Sequence, residues 1–370
     1  MKPAPWRKAA EIMREYPLAL LGGVGAALFL ANYHGPLYLQ LVAEPLLNYP
    51  GSSLRFFTNE IFMALFFGLA AKEISEAFLP GGSLSPWQRA INPLVATLGG
   101  VVGPVGVFFL ANHWWGEEQL NRGWGIPTAT DIALAWLGAR VLFTARHPAV
   151  DFLLLLAIAD DALGMMIIAL FYGDSHQPLA LLPLWGVVVA MAFAYMLRKM
   201  QQQWWPAYLL GPGLLAWICL AGANLHPALA LVFIVPFMPH GKLEAFAQQL
   251  KPWVDYGLFF FAFANSGVSF TEISVVTWIV LLALLLGKPL GICLFALGAV
   301  KAGFPLPRGM QARDVLVAGI LAGMGLTVAL FVCTAAYTGP LAFAQGPAKM
   351  GALFSCLGFL LALLVKRIPW

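Results

Sequence analysis

The sequence predicts an all-α polytopic membrane protein of about twelve transmembrane helices, and three observations carry that prediction. Of 370 residues, 61% are hydrophobic and 10% charged, and the mean hydropathy is +0.80; soluble globular domains do not have such compositions. The apolar runs between Pro, Gly and charged clusters have the length of a membrane helix, about 20 residues for a hydrocarbon core of roughly 30 Å. They lack the alternation of outer-membrane barrel strands. Inside several of these runs stand ionisable residues of a kind that a lipid-facing surface does not keep.

Taken in order, the expected spans cover residues 17 to 32, 60 to 79, 92 to 113, 123 to 142, 150 to 172, 179 to 197, 206 to 220, 226 to 239, 253 to 270, 275 to 299, 314 to 337 and 349 to 366. Residues 1–16 precede them as a cytoplasmic segment, mixing Lys2, Arg7, Lys8 and Arg14 with Glu11 and Glu15, longer and more acidic than a signal-peptide n-region. With the N-terminus inside, the basic residues left on the external side are Arg55, Arg122 and Lys349. That bias puts both termini in the cytoplasm. Residues 34 to 58 make the longest external connection, apolar enough (LYLQLVAEPLL) to lie at the membrane surface as a hairpin or interfacial element. Small residues recur in Gly99-Gly100-Val101-Val102-Gly103 and Gly319-Ile320-Leu321-Ala322-Gly323, where they let helix backbones approach closely. Cys219, Cys293, Cys333 and Cys356 have no CxxC or metal-ligand spacing and read as packing residues.

The fifth span, Phe152 to Tyr172, carries the adjacent carboxylates Asp160 and Asp161 near its centre. One Asp at the middle of a membrane helix costs about 2.5 to 3.5 kcal/mol on insertion scales. Neighbouring residues on a helix point about 100° apart, so both acids must meet protein, water or a cation on an inward-facing sector. The fourth span contains Pro127, Thr128, Thr130 and Asp131. Proline removes a donor and clashes one turn back, and threonines can re-satisfy the freed carbonyls, so this span should break near Asp131. A matching weakness occupies Gly319 to Thr327 in the eleventh span. Two interrupted helices in corresponding parts of a chain point to a transporter built from inverted repeats. Lys288 lies in the run WIVLLALLLGKP, too deep to snorkel to either surface. It must pair with Asp160 or Asp161, or else be kept uncharged. Lys72, Glu73 and Glu76 share one turn near the cytoplasmic end of the second span, as an exposed ion pair at a helix end would. Glu60 starts the same span, and His226 is a lone histidine at a span start.

At these residues the chain resembles the NhaA family of bacterial sodium/proton antiporters. The motifs are TATDIA at Thr128 to Ala133, AIADDALGMMIIALFY at Ala157 to Tyr172, FAFANSGVS at Phe261 to Ser269, GKPLGI at Gly287 to Ile292 and GILAGMGLT at Gly319 to Thr327, in family order over nearly the whole chain. Inverted-repeat architecture is known from these antiporters themselves and comes here from the resemblance. The resemblance implies one transporter domain over residues 1–370, with inverted repeats at approximately 92–172 and 275–366 and broken helices four and eleven crossing at the site. It implies that Asp160 and Asp161 bind Na+ or Li+ and exchange protons. Asp131 and Lys288 would offset the half-helix dipoles, with Thr130, Gly323, Gly325 and Thr327 near the site. Glu73, Lys72, Glu76 and His226 would be the candidates for pH sensing. The chain departs from the family pattern at Glu60, in the run Ala71 to Ala77, at Ala162-Leu163-Gly164, at Trp136 and at Leu225-His226-Pro227-Ala228, which puts its pH dependence and ion preference in question.

The activity expected is exchange of a monovalent cation for protons across the bacterial inner membrane, electrogenic, serving pH and sodium homeostasis. No cofactor is expected beyond the transported Na+ and H+; the partners are those ions and the lipid bilayer, with no nucleic acid, and a homodimer is what the resemblance suggests. A proton-coupled carrier of another, larger cation or of an anion is the alternative, but it would want aromatic cages or Arg clamps, and no Arg lies deep in a span. An intramembrane aspartyl protease using Asp131 with Asp160 or Asp161 is a further alternative. Its usual Gly-x-Gly-Asp motif is absent, so the chain is not expected to be an enzyme.

Overall fold

The computed structural model describes residues 18–46, 51–79, 82, 87–144, 147–173 and 180–368. The expected cytoplasmic segment 1–16 lies outside the described residues. Helices of eight residues or more are, in chain order, α1 (Leu18–Tyr33), α2 (Gly35–Ala43), α3 (Met63–Ala77), α4 (Trp87–Trp115), α5 (Ile132–Leu142), α6 (Pro148–Phe171), α7 (Leu181–Lys199), α8 (Leu214–Gly222), α9 (His240–Ser266), α10 (Val275–Leu282), α11 (Lys288–Lys301), α12 (Ala312–Ala322), α13 (Thr327–Ala336), α14 (Gln345–Phe354) and α15 (Gly358–Arg367). Among the described residues the one β interaction is an isolated bridge, Pro45 to Ser53. In the stretch 34 to 58 the described residues form a short helix, α2, then that bridge, and a helix begins at Leu54.

Among the described residues, six stretches are long and apolar enough to cross a membrane: Leu54–Ala77, Ala90–Trp115, Pro148–Phe171, Leu181–Lys199, Val275–Lys301 and Gly339–Arg367. The pair α12 and α13 makes a further span bent by 52° at its break. The chain is a multi-pass membrane protein. The expected spans at 17–32, 123–142, 206–220 and 226–239 coincide with shorter apolar helices, Leu18–Tyr33, Ile132–Leu142, Pro206–Gly222 and Pro227–Phe237. One expectation needs amending. The span set at 253 to 270 is the second half of the longer helix α9, which runs through Pro252 without ending. Lys349, at the start of the expected twelfth span, is buried within α14.

The chain divides into two compact units, one from Met1–Ser75 and Met165–Gly267, the other from Glu76–Gly164 and Val268–Trp370. In the first, α1 packs on α9 backbone to backbone, since a Cβ at Gly23 would lie 2.3 Å from the Phe259 carbonyl oxygen. Tyr38 on α2 donates to the Phe263 carbonyl at 2.8 Å and accepts from the Gly267 amide at 3.2 Å, tying α2 to the end of α9.

In the second unit α4 packs along α11 through glycines. A Cβ at Gly99 would sit 2.2 Å from the Gly291 carbonyl oxygen, and one at Gly103 2.3 Å from that of Gly287. Such contact is how membrane helices gain dispersion energy without a hydrophobic driving force. A π-turn, Ala283–Gly287, precedes α11. Pro289 has no amide hydrogen for the carbonyl one turn back, so the ladder widens there and Lys288 emerges directly after the bulge. Helix α13 is buried at every residue from Thr327 to Cys333.

Candidate ion-binding site

Two broken helices meet in the second unit. The first descends as a 3-10 turn, Glu118–Thr128, opens into extended backbone at Ala129, and resumes as α5 with Asp131 at its N-cap. The second is α12, which ends at Ala322, and α13, which starts at Thr327. The breaks touch through their backbones: the Asp131 amide donates to the Met324 carbonyl at 2.9 Å. Glycine is needed at this crossing because a Cβ at Gly325 would lie 2.8 Å from the Ala129 carbonyl oxygen, and one at Gly323 2.5 Å from that of Leu284. Ser355, at the end of α14, braces the second break by accepting from the Gly325 amide at 3.2 Å.

Each half-helix end finds a partner of opposite sign. The N-termini of α5 and α13 carry partial positive charge, and Asp131 serves both. Its Oδ1 accepts from the Leu134 amide at 3.1 Å, and its Oδ2 accepts from the Thr327 amide at 3.1 Å and from the Thr327 hydroxyl. The carbonyl ends that stop at the breaks meet donors. Lys288 Nζ donates to the Thr128 carbonyl at 2.5 Å, and the Thr130 hydroxyl reaches the Ala322 carbonyl at 2.8 Å.

The same two donors converge on Asp160. Lys288 Nζ lies 2.6 Å from Asp160 Oδ2 with both side chains fully buried, and the Thr130 hydroxyl lies 2.6 Å from the same oxygen. The hydroxyl's single hydrogen is shared between Asp160 and Ala322. Oδ1 of Asp160 is buried and accepts no hydrogen bond among the described residues. Asp161 is buried beside it on α6 and within electrostatic reach of Lys288. A buried ion pair roughly breaks even against its desolvation, whereas removing one member is strongly destabilising.

Thus Asp131, Thr130, Asp160, Lys288 and Thr327 come together with the backbone of Gly323 and Gly325 close by. The residues expected to sense pH lie elsewhere. Lys72, Glu73 and Glu76 share the last turns of α3, where Lys72 Nζ is 3.6 Å from Glu244 Oε2 on α9. His226 Nδ1 is 4.0 Å from Glu60 Oε1, and Trp217 donates to the Glu60 carbonyl at 3.0 Å.

Sequence reasoning missed three features. The carbonyls of Thr128 and Ala322 carry no side-chain signal. Ser355 reads as an ordinary helix residue. Asp314, His147 and Lys366 form a cluster: Asp314 Oδ1 is 3.4 Å from Lys366 Nζ and Oδ2 4.0 Å from His147 Nε2, while Asp314 also caps α12 by accepting from the Gln311 amide at 2.9 Å. The Gln-x-x-Asp capping spacing at Gln311 was the one available sign.

Residues 11–365 match the family described as Na+/H+ antiporter 1. The chain belongs to that family. It is 49% identical over 381 residues to an Na+/H+ antiporter NhaA from Desulfitobacterium hafniense, covering 98% of this chain and 96% of the relative. It is 48% identical over 388 residues to the Na+/H+ antiporter NhaA of Geobacter sulfurreducens, covering 98% of this chain and all of that one. Among solved structures, the sodium proton antiporter MjNhaP1 from Methanocaldococcus jannaschii at pH 8 superposes with a TM-score of 0.55 at 16% identity, over 95% of this chain and 92% of the other. That likeness is one of fold. The family membership attaches the broken-helix crossing to a family named for antiport.

Proposed function

We propose that the chain is a sodium or lithium/proton antiporter of the bacterial inner membrane, with both termini cytoplasmic, and not an enzyme. The observation that carries the reading is the buried carboxylate of Asp160, held through one oxygen by Lys288 and Thr130 and beside Asp161, at the crossing of two broken helices. Small hard cations take oxygen ligands, and carboxylates, a hydroxyl and the carbonyls freed at a helix break are the oxygens that occur here. A proton and a cation compete for the same carboxylates, so loading one expels the other. Asp131 and Lys288 offset the half-helix charges that the breaks leave in the membrane interior, and Thr130, Thr327 and the glycines at 323 and 325 hold the crossing in register.

The cation enters by taking the place of the ammonium at Asp160. An ammonium deprived of its counter-charge is costly in the interior, so its proton leaves together with one from the carboxylate pair. More than one proton then moves per monovalent cation, and exchange is electrogenic. Net transport follows because the cation-loaded and protonated forms cross between inward-open and outward-open states. The residues 92–172 and 275–366, each containing one broken helix, are the two repeats. Lys72, Glu73, Glu76 and His226 are assigned to the response to pH.

The test is exchange in proteoliposomes under an imposed pH gradient with Na+, Li+ and K+ in turn. Asp160→Asn and Asp161→Asn each keep the shape of the side chain and remove an ionisable ligand, so both are expected to abolish cation-dependent proton movement in inserted protein. Exchange at the native rate in both variants would overturn the reading.

A further inference from the structure

We propose that Gly100, on α4, sets the room available to the cation at the open oxygen of Asp160 and thereby the preference of the site between Na+ and Li+. This rests on the assignment of Asp160 as an ion ligand. The argument starts from the run Gly99 to Gly103, whose glycines do not all have the same surroundings. At Gly99 and Gly103 a Cβ would strike backbone oxygens of α11 and of the π-turn before it, at 2.2 and 2.3 Å, so helix packing explains them. At Gly100 the nearest atoms to a Cβ are side chains: Ile292 Cγ1 at 3.3 Å, Ile292 Cδ1 at 3.5 Å and Asp160 Oδ1 at 3.6 Å. A methyl there would meet Asp160 at an ordinary contact distance, and Ile292 could yield a few tenths of an ångström. Packing between helices therefore does not demand glycine at position 100.

The second observation is the state of the oxygen it faces. Asp160 is 1% exposed, its Oδ2 is committed to Lys288 and Thr130, and its Oδ1 accepts nothing among the described residues. A carboxylate oxygen buried without a donor is costly. It is the oxygen a cation can approach before the ammonium is displaced. Na+ has about the radius of Ca2+ and Li+ about that of Mg2+, so oxygen distances of about 2.3–2.6 Å and 2.0–2.1 Å are the respective guides. An ion on Oδ1 needs its further ligands within that shell, on the side where Gly100 has no side chain. A methyl at Gly100 would trim this space, and the larger ion loses more by it than the smaller.

The experiment is the half-saturating concentration of Na+ and of Li+ in ΔpH-driven exchange by the full chain in proteoliposomes, paired with calorimetric titration of each ion into purified protein. A single added carbon in a close-fitting site discriminates by about tenfold or more, so Gly100→Ala should weaken Na+ by on the order of tenfold relative to Li+. Gly100→Ser brings a hydroxyl oxygen to the same place and should recover part of the Na+ affinity. Gly106→Ala, on the same helix where a Cβ meets nothing within 4 Å, should leave the ratio as it is. If Gly100→Ala does not insert, Gly100→Ala with Ile292→Ala, which removes the Cγ1 of the one tight contact, is measured in its place. An unchanged Na+ to Li+ ratio in Gly100→Ala, or in that double variant, overturns the proposal. Loss of exchange in Asp160→Asn alongside that result would leave the antiporter reading standing and remove the role of Gly100 alone.

Discussion

The two breaks solve the same problem with different chemistry. The first, at Thr128 to Asp131, is made by proline and extended backbone and is rich in functional side chains: the Thr130 hydroxyl reaches Asp160 and Ala322, and Asp131 caps two helices. The second, at Gly323 to Leu326, is made by glycine and offers backbone, with Met324 accepting from Asp131 and Gly325 lying against Ala129. One break supplies polar groups and the other supplies closeness. The difference teaches that a crossing of two broken helices can share its charges, because one carboxylate, Asp131, serves both breaks.

Substitutions at three positions sharpen or break that comparison. The largest effect is expected at Lys288, which serves the first break at Thr128 and the carboxylate of Asp160 together. Lys288→Ala leaves a buried carboxylate without its counter-charge and should cost about 3–5 kcal/mol. Thermal unfolding in detergent reads it, and a native midpoint would show that the ion pair is not held in the membrane-embedded protein. Lys288→Arg keeps the charge but not the compact ammonium or its readiness to lose a proton. It should recover much of the stability and lose the voltage response of exchange.

Asp131 comes next, since it caps both α5 and α13. Asp131→Ala removes two caps, each worth about 0.5–2 kcal/mol, whereas Asp131→Asn keeps one acceptor oxygen and should fall between. If Asp131→Ala costs no more than Thr327→Val, which removes one hydroxyl, the shared-cap account fails. The smallest effect belongs to the second break. Gly325→Ala drives a methyl toward the Ala129 carbonyl and should cost about 1–3 kcal/mol by overpacking, with reduced exchange but an unaltered ion preference. A changed preference there would mean that the second break contributes chemistry as well as closeness.

Much of this site was legible in the sequence because charge in an apolar run has few explanations. Asp131, Asp160, Asp161 and Lys288 stand out by the cost of burying them, and Pro127 with the glycines from Gly319 to Gly325 marks the breaks. Which aspartate takes Lys288 was not legible, because adjacent helical residues differ by a rotation that only packing fixes; the structure gives Asp160. The carbonyls of Thr128 and Ala322 could not be read because every residue has one. The pairing of Lys72 with Glu244 and the cluster at Asp314 are long-range contacts between residues that look like solvated helix ends. The full length of α9 is hidden in the sequence because its polar first half, from His240 to Lys251, carries no membrane signal. The burial of Lys349 is not legible either, because a single charge near the end of an apolar run gives no sign of how the helix around it packs.

The most direct test of the central claim, that a cation and protons share the Asp160–Lys288 group, is proton release on ion binding. Purified protein in weakly buffered detergent solution is titrated with NaCl while pH is followed, with choline chloride as the control. The account predicts that Na+ releases more than one proton per ion bound in the native chain, and that Asp160→Asn releases none. Release from Asp160→Asn equal to that of the native chain would contradict it.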